Sequence, residues 1–155
     1  MKRLLLLLAV AIWNMLVVPT GVGSAPASFI STIDKKYDEL VQGCSCQVFE
    51  NPNWNAFSRP IFFSDIRGHN AWMNILGNME SLTLFRLEEP DRSGRKGDRL
   101  LRSYWSATAR VTCDFTVTSV CDGKSECDGF GIAAMISVVY GSQRVQMRGY
   151  GGCGC

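Results

Sequence analysis

The 155-residue chain has a single histidine, His69, and it stands in Gly68-His69-Asn70, a turn sequence. No G-x-S-x-G elbow, P-loop or H-E-x-x-H motif occurs, so the common nucleophile, phosphate and zinc-protease signatures are missing. The Asn-x-Ser/Thr sequon is also absent, and N-glycosylation is not expected. Internal repeats and low-complexity tracts are lacking. Beyond the first 24 residues, no apolar run is long enough to span a bilayer. Net charge is missing too once the N-terminal segment is set aside. Lys2 and Arg3 are its only charges, and without them 14 basic residues face 14 acidic ones. A basic surface for nucleic acid or anionic lipid is therefore not indicated globally.

That N-terminal segment reads as a secretory signal peptide over residues 1–24. Lys2 and Arg3 precede an apolar run from Leu4 to Pro19 and a small-residue exit. Val22 and Ser24 occupy the −3 and −1 positions of a cut before Ala25, and a cut after Gly23 is the alternative. A secreted chain meets an oxidising compartment, where seven cysteines read as a disulfide framework with one sulfur left over. Removing the leader leaves 131 residues, the length of one domain.

Residues 25–43 predict a short N-terminal helix. Phe29, Ile30, Ile33, Tyr37, Leu40 and Val41 recur at helical spacing, Ser28 or Ser31 suits the start, and Gly43 suits the stop. From 44 to 155 the pattern turns to strands. Cys44, Cys46 and Val48 share parity, Ile61-Phe62-Phe63 forms a second strand and Leu82–Leu87 a third, with Trp72 and Gly77-Asn78 in loops. Residues 88–102, rich in charge and carrying Pro90, Gly94 and Gly97, predict an exposed basic loop. Ala107–Cys121 alternates apolar odd positions with polar even ones. Ile132–Tyr140 is continuously apolar, Gly141-Ser142 suits a type II′ turn, and Gln143–Arg148 returns. These three strands make a C-terminal meander. The whole predicts a mainly β, disulfide-stapled antiparallel sandwich with one short N-terminal helix.

Two C-x-C strands lying antiparallel present their sulfurs in matched pairs. Cys44–Cys155 with Cys46–Cys153, or the same four in the other register, would tie the first strand to the last. Closing a loop of this length is worth about 4–5 kcal/mol in the chain-entropy model. Cys121 and Cys127 flank a turn-rich segment and form the third expected bridge, leaving Cys113 as the odd thiol. That thiol is inert if buried; if exposed, it would make a disulfide-linked homodimer. A four-cysteine zinc site is the competing reading of the C-x-C pairs. Their one-residue spacing and the oxidising compartment both oppose it.

Residues 46–86 carry a family resemblance. Val48-Phe49-Glu50-Asn51-Pro52-Asn53-Trp54-Asn55-Ala56 resembles the opening of a βγ-crystallin Greek-key motif, and Trp72-Met73 with Gly77-Asn78-Met79-Glu80-Ser81-Leu82 resembles its closing half. The resemblance implies a Greek-key-like first half of the domain. Ala56 stands where that family has Gly, and Gly77 and Leu82 break the pattern of its calcium-binding members.

Three further groups bear on ligands. Asp122, Glu126 and Asp128 surround the small cysteine segment and are the only calcium candidates, without EF-hand spacing. Arg92, Arg95, Lys96, Asp98, Arg99 and Arg102 form a candidate binding loop for a polyanion such as a sulfated glycan. Within it, Arg95-Lys96 is dibasic and Lys96-Gly97-Asp98 matches a short integrin-ligand tripeptide. Paired carboxylates, for example Glu50 with Glu80 or Glu88, are candidates for a glycosidase, and His69 is the sole imidazole. No catalytic residue and no cofactor are assigned. The reading is an extracellular structural or binding protein, a matrix component in one version, with a protein or glycan partner and no nucleic acid or membrane. A stapled secreted effector, toxin-like or antimicrobial, is the alternative, and a small hydrolase the third.

Overall fold

The computed structural model describes residues 29–33, 43–55, 57–89, 94–121 and 129–155. Nine strands follow one another: β1 (Ile30–Ser31), β2 (Ser45–Phe49), β3 (Phe62–Asp65), β4 (Asn70–Ile75), β5 (Asn78–Glu88), β6 (Arg99–Trp105), β7 (Ala109–Val120), β8 (Gly129–Tyr140) and β9 (Gln143–Gly154). From β2 to β9 every strand pairs antiparallel with its successor, and β9 returns to pair with β2. The result is a single eight-stranded sheet closed on itself. Where a sandwich was expected, closure through β2–β9 gathers the described strands into one closed sheet. Within the first half, β2 to β5 run up and down, each paired with its successor.

Of the expected N-terminal helix, only residues 29–33 and 43 are described, and Ile30–Ser31 form β1. Ile30 pairs with Ile75 and Ser31 with Asn74, prolonging the β3 side of β4 beyond the point where Phe62 meets Met73. Residues 34–42 lie outside the described set.

Alternation along the strands decides what faces inward. Ala109, Val111, Cys113, Phe115 and Val117 on β7 are buried, as are Ile132, Ala134, Ile136 and Val138 on β8. Phe62 on β3 packs against Tyr104 and Phe115 from the far side, with ring centroids 5.6 and 6.1 Å away. An eight-stranded barrel is just wide enough for side chains to fill it, and these residues form one continuous core there. Phe29 sits edge-on to Tyr140, adding to this core. A second, smaller cluster lies apart from it, where Ile33 packs on Phe63 and Trp72. Ile33 is anchored there by its backbone N–H, which donates to the Pro60 carbonyl at 2.8 Å.

The C-terminal meander follows its alternation. Tyr140 pairs with Gln143 across Gly141-Ser142, and Gly141 has φ of 59°, as a type II′ turn requires at its first central position. The β4–β5 turn was less legible. Leu76 and Gly77 have φ of 52° and 81°, both positive, which marks a type I′ turn built on a leucine. Trp72 lies on β4 rather than in a loop, and β5 runs eleven residues where a shorter strand was expected.

Candidate functional site

The β2–β9 seam brings the C-x-C pairs together. Cys46 and Cys153 are direct cross-strand partners, and Cys44 is bonded to Cys155 in the same register. Their Cα atoms are 4.0 and 4.1 Å apart, near the close spacing of non-hydrogen-bonded antiparallel pairs. Cys46–Cys153 is buried in the core, whereas Cys155 is exposed. With these four sulfurs joined to one another, none is left to bind zinc. Cys121 is also disulfide-bonded. Cys127, its expected partner, lies outside the described residues, as do Asp122, Glu126 and Asp128. Among the described residues, no group of three or more His, Cys, Asp or Glu side chains is placed to hold a metal.

Cys113 is free and fully buried on the inward face of β7. Burial pushes its thiol well above the usual range. A disulfide to a second chain through this sulfur would require the sheet to open.

Beside Cys113 the barrel holds a polar cluster that sequence reading placed on the surface. Arg102 pairs with Cys113 across β6–β7, and its side chain is only 7% exposed. The expected exposed loop thus ends earlier, because Arg99–Trp105 is strand and Arg102 points inward in phase with Leu100 and Tyr104. Its guanidinium donates to Glu89 Oε1 through Nε at 3.0 Å and Nη2 at 2.7 Å. Nη1 lies 3.9 Å from the Cys46 sulfur. Burial opposes the charge most strongly of any one influence, but the Glu89 hydrogen bonds, together with the negative charge of Glu89 and the Tyr104 oxygen, outweigh it and hold the guanidinium more firmly protonated than usual. Gly68, with φ of 70°, lies directly over this group, and a Cβ there would come within 2.9 Å of the guanidinium carbon. The Tyr104 hydroxyl faces Arg102 and Ser64. Neither that hydroxyl nor Ser64 Oγ has a partner at hydrogen-bonding geometry. Burial, reinforced by Cys113, raises the Tyr104 phenol strongly.

The remaining residues of the expected binding loop disperse. Arg92 lies outside the described residues. Arg95 donates its backbone N–H to Asp98 Oδ2 at 2.8 Å, and Gly97 and Asp98 are bonded through their backbones to Val117. Arg99 is paired with Asp114 on β7. The loop therefore offers Arg95 and Lys96 outward, while Asp98 is turned onto its own turn.

The acid–base candidates are also spread apart in the fold. Glu50 is exposed after β2; Glu80 on β5 accepts from Ser106 Oγ at 2.7 Å; Glu88 at the end of β5 pairs with Arg86. His69 is exposed, and its backbone N–H donates to Asp65 Oδ1 at 3.0 Å. Asp65 also accepts from Asn70, through the backbone N–H at 2.9 Å and the side-chain amide at 3.2 Å. Partial burial works against the Asp65 charge, but these bonds from Asn70 and His69, with one from Gly68, hold its carboxyl below the usual range.

The feature sequence reading missed is a groove of about 500 Å³ on the outside of the seam. Its floor is almost bare backbone: Gly152 and Gly154 of β9 pair with Gly131 and Gly129 of β8. Packing demands some of these glycines. A side chain on Gly131 would collide with Ser119, where β7 is bulged between Val117 and Ser119, and one on Gly151 would strike the Gln47 carbonyl. Phe49 and Trp54 form one wall, stacked with centroids 4.8 Å apart and planes 8° from parallel, and Trp54 is 44% exposed. Ser45, Gln47 and Ser119 add polar groups. Apolar lining with a few directed polar groups, in this size range, is the usual make-up of a small-ligand site. No family model, curated protein or solved structure matches the chain, so its function is read from this groove and the closed barrel alone.

Proposed function

We propose that the protein is a secreted, non-enzymatic extracellular binding protein that docks a glycan against the outside of its barrel, at the Phe49–Trp54 groove. The observation that carries this reading is the exposed indole of Trp54, held flat on Phe49 above a strip of side-chain-free backbone. A pyranose presents one face of C–H groups that stacks on such an aromatic plane, while Ser45, Gln47 and Ser119 supply hydrogen bonds at the rim. The barrel interior, filled with side chains, leaves the ligand to the outer surface. Closure of the eight barrel strands leaves, among the described residues, only the two-residue β1 as an edge a peptide could extend, which favours a stacked sugar over an added strand.

Export is supported by the leader and by cross-strand disulfides, which persist in oxidising compartments. The outward rows of β7 and β9 carry Arg110, Thr112, Asp114, Arg144, Gln146 and Arg148, the reverse of a lipid-facing band. The test is retention of the mature protein on insoluble polysaccharides of differing backbone, with Trp54→Ala alongside. Retention on at least one, weakened about tenfold by Trp54→Ala, is the expected result. Equal retention of the two proteins, or none on any polysaccharide, refutes the reading.

A further inference from the structure

The seam groove is one of three that lie end to end along the outward face of β9. Gly152 and Gly154 belong to the first; Arg148 and Tyr150 line the second, of about 490 Å³; Arg144 and Gln146 line the third, of about 500 Å³. From residue 144 to 154 the strand spans roughly 34 Å at the antiparallel rise per residue. The track is continuous because β9 is twelve residues long and pairs with β8 along its whole length.

Charge is distributed unevenly along it. At the end away from Trp54, Arg110 and Arg144 flank Val139 on one cross-strand row, and Arg148 follows two pleat repeats further along β9. Among the described residues, no carboxylate is within ion-pair distance of Arg110, Arg144 or Arg148. The one acidic side chain lining these grooves, Asp114, is already neutralised by Arg99. A chain whose charges balance once residues 1–24 are set aside thus leaves a row of arginines, with no ion-pair partner among the described residues, leading away from an aromatic platform.

We propose that the glycan is acidic and extended, lying along β9 with one sugar stacked on Trp54 and its carboxylate or sulfate groups met by Arg148, Arg144 and Arg110. This rests on the glycan reading above and adds the substrate class and the direction of the chain. Guanidinium groups suit both anions, since each presents paired oxygens to the planar donor fork.

The experiment is calorimetric titration of the mature protein with four probes: a hexagalacturonate, a heparin hexasaccharide, the neutral cellohexaose, and poly-L-glutamate. It is run at low and high salt on the unmodified protein, on Trp54→Ala and on Arg144→Gln/Arg148→Gln, which alters only exposed side chains. The proposal expects an acidic hexasaccharide to bind at least about tenfold more tightly than cellohexaose at low salt, with the advantage shrinking as salt screens the arginines. The double arginine variant loses that advantage, about tenfold, while its cellohexaose affinity is unchanged. Which acidic probe binds better distinguishes carboxylate from sulfate. Equal affinity for acidic and neutral sugars, an undiminished double variant, or poly-L-glutamate matching the hexasaccharides overturns the proposal. In the first two of these cases, sensitivity of sugar binding to Trp54→Ala leaves the glycan reading standing. Binding of no hexasaccharide, or sugar binding indifferent to Trp54→Ala, overturns both.

Discussion

Removing the two seam disulfides separately and together should give strongly non-additive losses. Cys44–Cys155 and Cys46–Cys153 enclose sequence separations of 111 and 107 residues, but they are only two residues apart on each strand. The chain-entropy relation assigns about 5 kcal/mol to the first cross-link over such a loop. With one bridge in place, the second closes a ring of only about six residues, worth about 2 kcal/mol by the same relation. Either bridge deleted alone should therefore cost about 2 kcal/mol, and both together about 7 kcal/mol, leaving a coupling near 3 kcal/mol. The exposed pair is best replaced by serine and the buried pair by alanine, the latter adding a small cavity cost. Urea unfolding of the three variants against the parent measures each difference. Since a domain of this size is stable by only about 5–15 kcal/mol, the double deletion should be largely unfolded or nearly so. Additive losses, or a double deletion as stable as either single one, would refute the reasoning that both bridges act on the same loop.

Other outcomes follow from single sites. Leu76→Asn restores Asn-Gly to a type I′ turn that a leucine fills at φ of 52°, and should raise stability by about 1 kcal/mol in the same urea assay. Glu89→Gln leaves the buried Arg102 without its carboxylate and should cost about 3 kcal/mol, whereas Arg102→Met with Glu89→Gln should recover much of that loss. Asp65 is held below the usual carboxylate range, so its contribution is complete above the unfolded value of 3.8 and disappears as pH falls through the folded value; Asp65→Asn should flatten the acid limb of a stability–pH curve. At the alkaline end, Cys113 and Tyr104 are raised by burial, so stability should begin to fall once pH passes their unfolded values of 9.0 and 10.0, with Tyr104→Phe and Cys113→Ala reducing the slope. Alkylation of Cys113 should proceed only at the rate of global opening, measured by mass spectrometry across a denaturant series.

Where period-two alternation was unbroken, sequence and structure agree. Ala107–Cys121 and Gln143–Arg148 carried enough inward apolar positions to specify β7 and β9, and the parity of the C-x-C pairs pointed to their cross-strand bonding. Alternation tells inside from outside but not whether a sheet closes, so the barrel was invisible until β2–β9 and β4–β5 were seen paired. Phe29, Ile30 and Ile33 fit helical spacing equally well as a two-residue strand followed by an anchoring isoleucine. Arg102 was assigned to the surface by its charged neighbours. Its phase with Leu100 and Tyr104 was the available signal, overridden by the expectation that arginines are exposed. The β9 track was not legible at all, because its members belong to different strands and meet only through register.

Pairing the earliest barrel strand with the latest has a consequence for assembly. While the polypeptide emerges in order, β2 has nothing to pair with on its β9 side, and the sulfurs of Cys44 and Cys46 wait through more than a hundred residues for their partners. During that interval the half-built sheet is an open ribbon, with two reactive thiols and a bare margin. The cell must therefore either shield that ribbon or keep the whole segment unfolded until β9 arrives, so that oxidation becomes the final act of assembly.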